Sequence, residues 1–417
     1  MITHRLAGAA LSLALLAVPC LADTPVGQDG LLLPGTHTRL KVYGKVWLNS
    51  WYYFNQDLRD TGPLVGGDTN PLRPGDSPDR QFGMTARNSQ LGFRTTTPSA
   101  SWGDITTVVE VDFAKDNTKS KNGTVNLRHA YLTLGRWTLG HTWSNWVDEA
   151  AAGITVDMNG PIGQACNGSS RFTQVRYTLP AGRRSTLAFS VEQNRMAWGT
   201  FPKESNPPMN PAGSPATQPT PRVTPDVRYP SLIGAYTFKD TWGHVALRAL
   251  GQNHGAYAPG AAGRPNRWGG AVQLSGTLKA GEDLLSGSIY TGKGLGEYGA
   301  GFQTLQFHQS ANDFQLYRNT GWQAGYTHAW TPRVRSGLVL GGVNFSNTAA
   351  MGPADISRAS NAFVNTFVQL HRNVELGMEY GYEQLRTFGA GQVVRRDLST
   401  SDRNHSNKLQ VSLTAKF

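Results

Sequence analysis

Apolar and polar residues alternate one by one along much of the chain, and the final segment shows the pattern best. Between Lys408 and Phe417, apolar residues occupy every second position, and lysine, glutamine, serine and threonine occupy the positions between them. Side chains of a β-strand point alternately to its two faces, so this strand has one apolar and one polar face. A shift of one residue would place both lysines on the apolar face, so the register is strongly fixed.

The same alternation predicts sixteen strands along the chain. The first of them again has lysines on its polar face, which does not suit a buried parallel strand. An even number of strands is expected for a single-chain barrel of the bacterial outer membrane. The predicted strands lie near 39–54, 87–97, 103–115, 124–134, 137–145, 171–179, 184–193, 228–238, 242–253, 266–279, 284–293, 316–330, 333–346, 360–372, 373–388 and 403–417.

The connections between these strands alternate between short and long. Short periplasmic turns and long extracellular loops are typical of such barrels. The sequence therefore predicts an all-β fold, a 16-stranded antiparallel transmembrane β-barrel over 39–417, with no second domain. The long connections are 55–86, 194–227, 294–315 and 389–402.

The first 22 residues predict export. A short basic start at His4 and Arg5 precedes the apolar run Leu6–Val18 and a small-residue cleavage site that ends at Ala22. This order is typical of a secretory signal peptide, and the apolar run is too short for a spanning helix. A lipoprotein anchor at Cys20 is the alternative. We therefore predict a signal peptide at 1–22, a short periplasmic segment at 23–38 and a location in the bacterial outer membrane.

Composition and charge agree with a barrel wall. Hydrophobic residues make up 39% of the chain, and a barrel wall needs them only at alternate positions. After cleavage Cys166 would be the one remaining cysteine, which excludes an intrachain disulfide framework. The formal net charge of +11 could indicate nucleic-acid binding, but no basic tract accompanies it and export argues against it. Cations spread along strands instead predict a positive potential that concentrates anions in a lumen.

Strand parity predicts which charged side chains reach this lumen. An arginine that faced lipid near the bilayer midplane would cost about 2–4 kcal/mol, so the inward direction is favoured. The planar guanidinium also suits bidentate contact with a carboxylate. We expect Arg94 and Arg128 to act directly in anion passage, and the alternative is that the arginines only pair with inward acids. The predicted pore-lining bases are Lys45, Arg94, Arg128, Arg176, Arg248 and Arg335, and the acids are Glu110, Asp112, Glu375, Glu379 and Glu383.

The segment Trp146–Ser170 is the predicted constriction loop. It follows a regular strand and carries three acids, Asp148, Glu149 and Asp157. Its alanines and glycines would allow the backbone to approach the wall closely. An ordinary surface loop is the alternative.

Aromatic residues cluster at the predicted strand ends. Rings with polar tips suit the two membrane interfaces, so we expect them to form girdles; ordinary core packing is the alternative. They are Trp51, Tyr52, Tyr53, Trp137, Trp242, Tyr326, Trp330, Tyr380 and Tyr382.

Several short motifs resemble the DcaP-like porin family, a branch of the general trimeric porins. The resemblance implies a homotrimer of 16-stranded barrels whose third extracellular loop folds into each pore, and uptake of small anions, usually dicarboxylates and aromatic acids. Many members carry a helical N-terminal extension, whereas Asp23–Thr38 is short and contains proline, so we do not expect a coiled-coil stalk. The motifs are Arg94–Pro98 with Gly103-Asp104, Leu127–Tyr131, Gly140–Ser144, Asp157–Pro161 and Gln174–Tyr177, with a weaker match at Leu376–Tyr382.

The C-terminal Phe417, preceded by alternating aliphatic residues, resembles the assembly signal of outer-membrane proteins. The barrel-assembly machinery is therefore a predicted partner, together with outer-membrane lipid, lipopolysaccharide and small anionic solutes.

Motifs for other chemistry are weak or absent. Gly294–Gly299 matches the dinucleotide fingerprint but lacks a following helix, so we interpret it as a turn. The sequence contains no nucleophile elbow, no zinc-protease helix motif and no paired-cysteine motif. We therefore predict a passive porin with no catalytic residue, cofactor, metal or nucleic-acid partner. The alternatives are an outer-membrane barrel enzyme of the lipase or protease type, and a non-conducting adhesin barrel.

Overall fold

The computed structural model describes most of the predicted barrel. The described residues are 30–54, 81–114, 123–162, 170–195, 224–257, 263–299, 305–308, 312–346, 356–389, 393–394 and 400–417. The predicted signal peptide and Cys166 lie outside them.

The long strands form one closed antiparallel barrel, which confirms the predicted fold. Each strand pairs with the next, and the last pairs with the first, where Lys45–Tyr53 lies against Lys408–Lys416. The sixteen wall strands in the described residues are β1 (Arg39–Tyr53), β2 (Gln81–Thr85 and Gln90–Thr97), β3 (Ile105–Asp112), β4 (Asn126–Leu134), β5 (Trp137–Trp143), β6 (Arg171–Pro180), β7 (Ser185–Glu192), β8 (Ser231–Asp240), β9 (Gly243–Tyr257), β10 (Asn266–Ala280), β11 (Asp283–Lys293), β12 (Arg318–Thr331), β13 (Val334–Phe345), β14 (Ile356–His371), β15 (Val374–Thr387) and β16 (Arg403–Lys416).

Strand β2 differs from its prediction because it begins earlier. Residues 81–85 were assigned to a long loop, but they pair with Asn49–Tyr53 of β1. A break at 86–89 separates them from the rest of β2, so the alternation is too short to be recognised. At Gly83, a Cβ would lie 2.3 Å from the ring of Trp51, so only glycine lets this pairing form around the indole.

Short elements complete the described chain. Leu31–Leu32 pairs with the start of β1, and Thr224–Pro225 pairs with the end of β9. The segment between β11 and β12 contains a 3-10 turn at Gly296–Tyr298 and a small hairpin of Leu305–His308 with Asp313–Leu316. A second small pair joins Val393–Val394 to Thr400–Ser401, and Glu149–Ala151 forms another 3-10 turn.

The two faces of the wall have opposite character. Apolar side chains such as Val46, Val272 and Leu409 point outward and are exposed, whereas buried glutamine, asparagine and charged side chains line the inside. This distribution is that of a barrel with a lipid-facing outer surface and a polar interior. Among the described residues, no helix has the length and apolar character needed to cross a membrane.

The predicted aromatic girdles form only in part. Trp137, Trp242, Tyr326 and Trp330 are exposed near the short-turn end. By contrast, Trp51 (7% exposed) and Tyr53 are buried inside the barrel, so the girdle interpretation is wrong for them. They occupy the inward positions of β1 and belong to an internal apolar cluster with Trp146, Phe172 and Tyr298, among others.

Candidate functional site

The chain leaves the wall after β5 and runs along the barrel interior. Its first anchor is Asp148, whose Oδ2 lies 2.6 Å from Oγ of Ser275, 2.9 Å from Nε2 of His244 and 3.1 Å from Nη1 of Arg248. Burial opposes ionisation of Asp148, but the charge of Arg248 and the hydrogen bonds from Ser275 and His244 outweigh it, so its pKa lies below the usual value. Asp148 therefore fastens the loop to β9 and β10 as a carboxylate.

The second anchor is a series of wall side chains that bond the loop backbone. Glu379 accepts hydrogen bonds from the N–H groups of Val156 (2.8 Å) and Asp157 (2.9 Å). Asn365 Nδ2 donates to the carbonyl of Ile154 at 2.8 Å, and Asn361 Oδ1 accepts from Ile162 N–H at 2.9 Å. Because these groups come from β14 and β15, the loop crosses from β5 to the far wall.

The third anchor is an ion pair between Asp157 and Lys408 of β16, both buried. Strand parity places Lys408 on the inner face, but this lysine was not among the predicted site residues. Its partner lies on a distant segment, so nothing in the sequence marks the pairing.

Glycines allow the loop to lie directly against the wall. At Gly341 of β13 a Cβ would lie 2.1 Å from the carbonyl oxygen of Ile162, and at Gly153 it would lie 2.5 Å from Val339. The predicted close approach is therefore present, and the pore-folded loop is confirmed.

Arg128 lies on the inner face of the wall in β4, next to the strand from which the loop leaves. Its guanidinium binds Glu110 at 2.7 Å and Asp112 at 2.9 Å, and Tyr43 donates to the other oxygen of Glu110 at 3.1 Å. The pairing of β3 with β4 skips one residue here, so Arg128 is the extra residue of a β-bulge. The bulge adds an inward side chain beside His129.

Glu149 is the one loop acid exposed toward this basic side. Burial by the surrounding protein raises its pKa above the usual range, and Arg171, Arg128 and Arg176 lower it in part. The carboxylate thus lies among cations of β4 and β6 without forming a described ion pair with them. We take Glu149, Arg128 and Arg171 as the eyelet, the point where the loop and the basic wall face each other.

Arg171 was missed by the sequence reasoning. It shares the outward phase of Val175, but it stands at the start of β6, and its guanidinium lies 3.7 Å from the ring centre of Trp143. The alternation rule fails at the first residue of β6, because this side chain turns inward although its position in the alternation points outward.

The other predicted side chains have more varied surroundings. Arg176 is half-buried and donates to the carbonyl of Trp143 at 2.9 Å. Lys45 lies over the ring of Trp47 at 4.1 Å, and Arg94 is exposed opposite Lys41. Arg248 belongs to the Asp148 anchor. Arg335 binds Glu375 at 2.8 Å, and Glu383 is buried on the inner face of β15.

Glu192 at the end of β7 is a second residue that parity alone did not single out. It accepts from Asn145 N–H at 2.8 Å and from the hydroxyl of Tyr298 at 3.1 Å. Tyr298 belongs to the turn that contains the dinucleotide-like glycines, and its ring stacks on Phe172. This carboxylate therefore holds two loops together inside the barrel.

The barrel fold is similar to that of known outer-membrane channels. Residues 24–197 match the DcaP outer membrane protein family. This confirms the resemblance predicted from the front-half motifs.

Solved structures support the fold over nearly the whole chain. The outer membrane channel DcaP of Acinetobacter baumannii is 21% identical, with a TM-score of 0.76, and the match covers 93% of this chain and all of that chain. An anion-selective porin from Comamonas acidovorans is 12% identical, with a TM-score of 0.57, over 91% of this chain and all of that one. OmpT of Vibrio cholerae is 9% identical, with a TM-score of 0.54, over 93% of this chain and all of that one. No curated protein matches the chain.

Proposed function

We propose that this protein is a passive outer-membrane porin whose water-filled lumen favours small anions such as dicarboxylates or aromatic acids. The observation that carries the proposal is a difference between the acids and the bases inside the barrel. Several acids are engaged in holding the loop, whereas two bases make no ion pair with a described residue. Asp148, Asp157 and Glu379 are occupied in holding the loop. Arg94 and Lys45 make no ion pair with any described residue and lie on the inner face of β2 and β1.

The eyelet adds a place where a carboxylate could bind in passage. Arg128 and Arg171 lie close to Glu149, and a guanidinium can bind a carboxylate through two parallel hydrogen bonds. Water in the lumen would keep each contact weak enough for release. The match to the DcaP family and the anion-selective porin among the structural neighbours agree with this proposal.

The proposal includes a homotrimer, since one OmpT structure among the neighbours is described as a trimer form. Export by a signal peptide and assembly through Phe417 also remain proposals. The proposal includes no catalytic role, metal or cofactor. In the described part of the chain, no group of three histidine, cysteine or acidic side chains could hold a metal ion.

The first test is the reversal potential of the purified protein in a planar bilayer across a potassium chloride gradient. We expect anion selectivity and conductance steps in multiples of three. Arg94→Ala and Arg128→Ala should each lower the anion-to-cation permeability ratio severalfold, because each removes a cation from the lumen. Arg136→Ala and Arg333→Ala, in exposed short turns, are the matched controls and should leave the ratio unchanged.

Cation selectivity would keep the porin assignment and contradict the role given to the arginines. A folded barrel that never conducts would contradict the porin itself. The enzyme and adhesin alternatives would then be tested next.

A further inference from the structure

Two pairs of cations lie side by side on the wall near the short-turn end of the barrel. Lys41 of β1 is directly opposite Arg94 of β2, and Lys45 of β1 is directly opposite Lys416 of β16. Directly opposite side chains on a sheet have Cβ atoms about 5 Å apart. We call these four residues the inner basic patch.

The patch faces the lumen. Lys41 and Lys45 are separated by an even number of residues from Asn49, which is 4% exposed and lies inside the barrel. Lys416 has the same relation to the buried Ser412 of β16. Side chains two or four residues apart point to the same face of a strand, so both pairs share the inner surface. Lys45 is partly exposed there, and the other three members are exposed.

The patch has no acidic partner, although acids lie on neighbouring strands. None of its four cations forms an ion pair with a described carboxylate. Glu110 and Asp112 of β3 instead bind Arg128 at 2.7 and 2.9 Å, and Glu375 of β15 binds Arg335 at 2.8 Å. Like charges directly opposite each other on a sheet are destabilising, so the protein gains no stability from these two pairs.

The patch extends from the level of the eyelet toward the short turns. Lys45 and Asp112 are both directly opposite Gln90 of β2, and Asp112 binds Arg128 of the eyelet. Lys41 lies four residues from Lys45, about 13 Å farther toward the short-turn end. A solute that has passed the eyelet therefore meets the two pairs before it leaves the lumen.

We propose that the inner basic patch binds inorganic phosphate. A phosphate dianion carries two charges on one compact tetrahedral group, so a single ion neutralises both members of a directly opposite pair. The two charges of a dicarboxylate are separated by a carbon chain, and a monocarboxylate offsets only one cation. Three of the four members are lysines, whose ammonium groups bind phosphate as point charges.

The phosphate site goes beyond the organic anions of the proposed function. It rests on that function only for the water-filled lumen that phosphate would enter. The eyelet presents guanidinium groups, which suit planar carboxylates, whereas the patch presents mainly ammonium groups. The two sites therefore differ in the anion that each prefers.

The test measures binding of inorganic phosphate to the purified full-length protein in detergent by isothermal titration calorimetry. Low ionic strength is used because salt screens exposed charges. Lys41→Gln/Lys416→Gln removes one cation from each pair and should bind phosphate roughly tenfold more weakly than the parent. Arg136→Gln/Arg333→Gln removes the same charge from exposed short turns and should bind like the parent. Equal binding by the patch variant and the parent, or no binding by the parent, would overturn the proposal.

Succinate separates phosphate recognition from a general attraction of dianions. The parent should bind phosphate roughly tenfold more tightly than succinate, because only phosphate places both charges between the members of one pair. Equal affinities for the two anions, with the same loss in the patch variant, would contradict the preference for a compact dianion.

A second variant and a second readout complete the test. If Lys41→Gln/Lys416→Gln fails to fold, Lys45→Gln/Arg94→Gln also removes one cation from each pair and serves the same purpose. Calorimetry needs no conductance, so phosphate binding that depends on the patch in a barrel that never conducts would support the patch and contradict the porin. An anion-selective channel whose patch variant binds phosphate like the parent would contradict the patch alone.

Discussion

At the scale of single residues, Glu149 combines exposure to the lumen with a pKa above its usual value of 4.5. Surrounding protein withholds water from the carboxylate, and this disfavours its charged form more than the nearby arginines favour it. The residue therefore titrates closer to neutral pH than an ordinary glutamate. Its charge at the eyelet depends on the pH of the medium.

We expect the anion preference to rise as pH falls through the raised pKa of Glu149. Protonation removes a negative charge from the eyelet and leaves the arginines in excess. Reversal potentials measured from about pH 7 to pH 4 would show this change. Glu149→Gln should have the higher anion preference already at neutral pH and should lose the pH dependence above the ordinary carboxylate range. A variant that keeps the parent's pH profile would contradict this role.

Gly341 shows how a missing side chain positions the loop. Gly341→Ala should destabilise the protein by about 1–3 kcal/mol, because the new Cβ would collide with the carbonyl of Ile162. Thermal unfolding in detergent would measure the change. Gly251→Ala is the matched control, since no atom lies within 4 Å of its Cβ position. Equal loss in both variants would show that strand glycines matter for another reason.

At the scale of elements, the loop after β5 is held by carboxylates at both ends. Asp148 secures the first part to β9 and β10, and Glu379 and Lys408 secure the later part to β15 and β16. The bonds are buried, so the loss of one partner leaves an uncompensated polar group. The loop should therefore behave as a fixed part of the wall.

Glu379→Gln should loosen the loop. The amide offers one acceptor where the carboxylate offers two, so one loop N–H loses its partner at a cost of about 1–3 kcal/mol. We expect noisier single-channel currents and a lower unfolding temperature. Glu375→Gln is the matched control, because Glu375 binds Arg335 and makes no described contact with the loop. Quiet currents in Glu379→Gln would contradict the anchor.

The Asp148 anchor has a defined pH dependence. Its folded-state pKa lies below the ordinary 3.8, so its stabilisation is complete above the unfolded pKa and is lost as pH falls through the folded one. The anchor should thus persist down to about pH 4. Asp148→Asn should release it at every pH and cost about 3–5 kcal/mol, because Arg248 remains buried without its ion pair. Current noise of both proteins between pH 7 and about pH 4 tests this.

At the scale of the whole molecule, the barrel closes where its ends meet. Phe417 and Gly44 exchange two backbone hydrogen bonds of 3.1 Å, and Phe417 is 60% exposed. Closure leaves no free sheet edge, which a membrane-spanning sheet requires. The exposed ring contributes little to the internal packing.

Phe417→Ala should therefore impair assembly in cells more than stability. We expect a lower amount of folded protein in outer-membrane fractions, but refolding in detergent and unfolding temperature close to those of the parent. Leu413→Ala, also on the outer face of β16, is the control and should assemble normally. Equal assembly of both variants would contradict a recognition role for the terminal ring.

The strand pattern alone determined the barrel, since each wall strand must turn apolar residues to lipid and polar residues inward. The inward phase of Arg94 and Glu379 followed from the same rule, whereas Glu149 was predicted from its place in the loop after β5. Parity could not predict which inward charges are occupied: Asp148 and Arg248 meet across the lumen only after closure. Nor could it place Arg171, which turns inward at the start of β6. Alternation is a property of neighbours in sequence, whereas contacts across the lumen depend on register around the closed barrel, and only the tertiary structure decides them.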